Sequence, residues 1–113
     1  MNFSEATNNK QSEDVMVFLK NRKAGAKESA SKAKEKGGDA IVSYYHFAAK
    51  DQPYAEVITT LKQEGLQQAK KLCKTKYKEL LKAVDLDMTQ KEYQAIVGKI
   101  EVYGECYIRF LSE

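Results

Sequence analysis

Only one proline, Pro53, and six glycines interrupt 113 residues. Breakers this sparse, in a chain where Ala, Lys, Glu and Leu are common, leave long segments free to run as helices and few places for tight turns. Where the breakers fall then sets the architecture: a Gly37-Gly38 pair, Pro53 ahead of an apolar segment, and Gly65 inside one. The expectation is an all-α protein, a compact bundle of four to five helices ending in an antiparallel helical hairpin. One core can be buried at this length, and 42% hydrophobic against 31% charged residues is a folding composition rather than a disordered one.

Residues 1–11 are polar and without period, and are read as a mobile tail before a single helical domain, 12–113. Ser12 suits an N-cap, with Glu13 and Asp14 at the positive end of a first helix and Val15, Phe18 and Leu19 beginning its apolar face. Ala26, Ala30 and Ala33 continue that face with side chains small enough for close helix approach, and Gly25 marks a place for a bend or break. Lys34 and Lys36 before Gly37-Gly38 make a C-terminal stop. Asp39 is expected to cap a second helix, which is apolar around most of its circumference and therefore expected at the centre of the bundle. Its one polar stripe is Asp39, Ser43, His46 and Lys50.

Asp51 is read as the N-cap of a third helix, with Pro53 tolerated in the first turn and Tyr54, Val57, Ile58 and Leu61 at helical spacing. A break or kink is expected at Gly65, after which Leu66, Ala69, Leu72, Cys73, Tyr77, Leu80, Leu81 and Val84 carry the period onward. Thr89 and Glu92 have the spacing of a capping box, so the last helix begins at Gln90 with Tyr93, Ile96, Val97, Ile100, Tyr103, Tyr107 and Leu111 as its stripe. Folding this hairpin about residue 87 leaves Cys73 and Cys106 out of register by roughly five residues, about 7 Å. They are read as core or half-buried thiols and not as a disulfide.

Several chemistries lack their residues. A single histidine and two separated cysteines do not make a zinc site. Asp85 and Asp87 open like a calcium loop, but Gln90 stands where the glycine belongs and Ile96 where the bidentate glutamate belongs. There is no phosphate-cradling glycine loop and no Gly-x-Ser-x-Gly elbow. No metal, cofactor or catalytic residue is therefore assigned. No apolar run approaches the roughly 20 residues of a membrane span, and "MNFSEATNNKQSED" lacks the layout of a signal peptide, so a cytoplasmic protein without membrane association is expected.

Two surface features carry the functional reading. Tyr44, Tyr45, His46, Tyr54, Tyr103 and Tyr107 are the candidate rim of a groove, since tyrosine is enriched at recognition sites; the plainer reading places most of these rings in the core. Lysines form the second feature. Lys70, Lys71, Lys74, Lys78 and Lys82 share one face opposite an apolar stripe, and Lys20, Lys23, Lys27 and Lys34 make a looser one on the first helix. Residues 1–84 hold 16 Lys and Arg against 10 Asp and Glu, whereas residues 85–113 hold 3 against 6. The plainer reading is a solvated face partly neutralised by Asp85, Glu101 and Glu105. The leading expectation is a small non-enzymatic module that binds another protein. The alternative is a weakly specific nucleic-acid-binding protein using the lysine faces, weakly specific because only Arg22 and Arg109 could read a guanine bidentately. A small ligand-binding protein or enzyme built around His46 is third.

Overall fold

The computed structural model describes residues 3–111, with side chains from residue 13 to 109. Five α-helices follow one another: α1 (Phe3–Lys36), α2 (Ile41–Ala48), α3 (Asp51–Glu64), α4 (Leu66–Ala83) and α5 (Gln90–Leu111), with a short 3-10 turn over Gly38–Ala40 before α2. There is no strand among the described residues. The 34 residues of α1 span about 50 Å at the usual rise per residue and account for the 55 Å long axis of the molecule.

The glycine stops fall where the sequence placed them. Gly37 and Gly38 take positive φ (63° and 56°) directly after α1, and Gly65 takes φ 93° between α3 and α4, a backbone that L side chains rarely adopt. Thr89 caps α5 by accepting the Glu92 N–H on its Oγ1 at 3.2 Å. α4 and α5 pack on one another along the expected antiparallel hairpin, and α1 lies against α2 and α3. Ala26, Ala30 and Ala33 of α1 are buried, as small residues at a helix contact should be.

Other expectations are corrected. α1 begins at Phe3, so Ser12 lies within it, and it continues unbroken through Gly25, because one glycine costs only about 1 kcal/mol in a helix supported by packing. Asp39 sits in the 3-10 turn and Ala40 precedes α2, while Lys50 precedes α3 and leaves Asp51 as its first residue. α2 is not the centre of the bundle. None of its residues is fully buried, since it packs mainly on α1 and α5; a nearly all-round apolar helix of eight residues is half covered.

The core lies instead between α1, α3, α4 and α5, where Val15, Leu19, Tyr54, Val57, Leu61, Ala69, Cys73, Val102, Tyr103 and Cys106 form one cluster. On α5 the buried side chains Val102 and Cys106 stand off the expected stripe because that helix packs on α2 and α4 and also touches α3. Two glycines mark those contacts. A Cβ on Gly98 would overlap the His46 backbone carbonyl of α2, and one on Gly104 would come within 3.0 Å of the Tyr77 ring of α4.

The cysteines meet across the same hairpin. Both are buried and free, and the Cys106 thiol is pushed up by its hydrogen bond with Cys73 and then by burial. The expected offset disappears because the connection before α5 is not symmetric about residue 87: Cys73 facing Cys106 and Tyr77 facing Gly104 put the fold point close to Gln90.

Candidate functional site

Of the polar stripe, His46 in α2 and Lys50 just after it face α5 near the Gly98 crossing, while Asp39 and Ser43 are exposed. His46 Nε2 lies 2.7 Å from Glu101 Oε2, and Lys50 Nζ lies 2.9 Å from the same oxygen. The His46 and Lys50 side chains are each 15% exposed while Glu101 is 49% exposed, so two nearly covered donors converge on a carboxylate at the rim. Burial works against the charge on Glu101, but hydrogen bonds and attraction from Lys50 and His46 outweigh it and hold the carboxyl below its ordinary value. His46 is thus joined to a carboxylate and an ammonium, whereas Cys73 and Cys106 are sealed in the core. Among the described residues no three His, Cys, Asp or Glu side chains come together as a metal site.

This arrangement has a pH consequence. Because the folded-state pKa of Glu101 is depressed, its contribution is complete above the ordinary glutamate value of about 4.3 and is lost as pH falls through the lower folded value. Wild type is expected to lose a few more degrees of melting temperature than Glu101→Gln between about pH 6 and pH 3, the difference kept small by solvent at the rim. Parallel losses in the two proteins would show that the network contributes nothing to holding α2.

The candidate tyrosines do not share one groove. Tyr44 lines a hollow of about 350 Å³ between α1 and α2, beside Lys27, Lys34 and Phe47. Tyr54 borders a second hollow of about 290 Å³ with Arg22, Lys50 and Glu105, and Tyr103 a third of about 300 Å³ with Glu56, Lys76 and Lys99. Tyr54 and Tyr103 are core residues for most of their surface. Burial, then the charge of Glu105, pushes the Tyr54 phenol up; burial, then Glu56, does the same for Tyr103, whose hydroxyl donates to Glu56 Oε1 at 3.4 Å. Tyr45 lies under the Lys91 ammonium, and Tyr107 packs half-buried on the core.

The lysines fall into two groups. On α1, Lys23 pairs with Asp51 at 3.3 Å and the Lys34 ammonium sits over the Tyr44 ring, while Lys20 and Lys27 are exposed. On α4, Lys71, Lys74, Lys78 and Lys82 are exposed and Lys70 is half-buried. α3 packs on both α1 and α4, so the two faces belong to helices with a shared neighbour rather than to one extensive contact.

The acids expected to offset α4 are engaged elsewhere. Glu101 serves His46 and Lys50, and Glu105 Oε1 lies 2.8 Å from Arg22 Nε, an ion pair held by charge, since no N–H is aligned on that buried oxygen. Asp85 accepts the Asp87 N–H within the hairpin loop. None of the ion pairs among the described residues involves a lysine of α4. This could not be read from sequence, where Glu101 and Glu105 are simply the nearest acids across the hairpin.

Exposed apolar side chains gather at the tip of the same hairpin. Leu81, Val84 and Leu86 are open to solvent, Leu86 completely. No helix among the described residues is long and apolar enough to cross a membrane. No family model, no curated protein and no solved structure matches this chain.

Proposed function

We propose that this chain is a non-enzymatic binding module for a polyanion, with nucleic acid as the class of partner and α4 as the working face. The observation that carries this reading is that the six lysines of α4, set against its single acid, Glu79, have no ion-pair partner among the described residues. Unpaired like charges four residues apart cost a few tenths of a kcal/mol per pair in an isolated helix. An anionic ligand on that face would turn this repulsion into attraction.

Spacing supports the class. Lys70, Lys74, Lys78 and Lys82 recur every about 6 Å along the helix axis, close to the rise of two nucleotides in one strand, about 7 Å. The near absence of arginine fits contact with phosphates rather than with base edges. A fluorescence-anisotropy titration against labelled mixed-sequence DNA and RNA tests it. With about four phosphate contacts on a duplex, affinity should fall about 100-fold between 50 and 200 mM salt. Absence of binding at 50 mM salt would overturn the proposal.

A second reading rests on the hairpin tip. Leu81, Val84 and Leu86 present an apolar surface that suits a protein partner, and binding there would survive charge reversal on α4.

A further inference from the structure

We infer that the hollow between α1 and α2 is a nucleotide-unit site, taking one unpaired base against its aromatic wall and the adjoining phosphate on its lysines, so that single-stranded nucleic acid is preferred over duplex. This rests on the nucleic-acid reading of α4 and adds a site to it. The hollow measures about 350 Å³, enough for a base and its sugar and too narrow for a duplex. Tyr44 and Phe47 line one wall, and Lys27, Ser31 and Lys34 follow one another along α1 on the other. Lys23 and Asp51 also border it and pair with each other, while Lys27 and Lys34 have no ion-pair partner among the described residues.

The wall is suited to exchange. Lys34 Nζ lies 5.8 Å from the Tyr44 ring centroid, a partly exposed cation–π contact that is individually weak. An entering base can replace that ammonium on the ring by stacking, a stronger contact that any base can make, and the released ammonium then stands beside the phosphate. In a duplex each base is already stacked and paired, so it cannot present its face to Tyr44. Tyr44 is half-buried and outside the core cluster, so its truncation leaves the packing of α1, α3, α4 and α5 in place.

The test compares a labelled 12-nucleotide single strand with a duplex of the same sequence, by anisotropy at 50 mM salt, for wild type, Tyr44→Ala and Tyr44→Phe, with helicity checked by circular dichroism. Wild type is expected to favour the single strand. Tyr44→Ala should weaken the single strand about 10-fold and leave the duplex unchanged. Tyr44→Phe, which keeps the ring, should match wild type. If wild type binds both forms equally and Tyr44→Ala changes neither, or changes both alike, the site is refuted while polyanion binding by α4 stands. If wild type binds neither form, both are refuted.

Discussion

Gly98→Ala is expected to lower the melting temperature by roughly 10–20 °C, corresponding to about 2–3 kcal/mol of lost stability. Helix propensity argues the other way, since alanine is favoured over glycine by about 1 kcal/mol in a helix interior. The crossing decides the sign. A Cβ on Gly98 overlaps the backbone carbonyl of His46, and a carbonyl in a helix cannot rotate aside as a side chain can. α2 must therefore move away from α5, which separates His46 and Lys50 from Glu101. Gly25→Ala is the control, because its Cβ would meet nothing within 4 Å and the position is exposed. That change should stabilise by about 1 kcal/mol. Thermal melts in which both substitutions shift the midpoint in the same direction would show that the α2–α5 approach is not what sets stability at Gly98.

Lys74→Glu combined with Lys78→Glu is expected to weaken nucleic-acid binding roughly 100-fold at 50 mM salt, and to flatten the salt slope by about two units. Two phosphate contacts are lost and two repulsions replace them, at the middle of the lysine series where a bound strand would span both sides. Both residues are exposed and neither has an ion-pair partner among the described residues, so the packing has little to lose by the change. Glu at these positions also relieves the repulsion with Lys70 and Lys82. An undiminished affinity, with unchanged melting, would move the binding surface off α4 and favour a partner at the apolar hairpin tip.

Local chemistry was legible in the sequence and cross-helix register was not. Gly37, Gly38 and Gly65 announced their breaks because only glycine is at ease with positive φ, and Thr89 announced its cap because the spacing to Glu92 is a backbone property. The position of α2 was misjudged because periodicity tells which faces are apolar but not how many neighbours cover them. Gly98 carried no expectation at all, since nothing along the chain says that another backbone passes against it. Glu101 and Glu105 looked available to the lysines of α4, because which helix an acid faces depends on how the other helices pack around α5, and these two turn to His46 of α2 and Arg22 of α1. His46 and Lys50 were read on one polar stripe and do meet a common partner, Glu101, though whether that stripe met solvent or another helix needed the fold.

Cys73 and Cys106 give the hairpin a built-in chemical clock. Both sulfurs are excluded from solvent at the α4–α5 contact, and a thiol must reach water as a thiolate before a disulfide reagent can attack it. Labelling in the native protein therefore counts excursions in which these two helices part. Where closing outpaces reaction, the rate of modification measures the free energy of that opening; at high reagent it measures how often the opening occurs. The two residues that join the helices in the core thus report on their separation without any added probe.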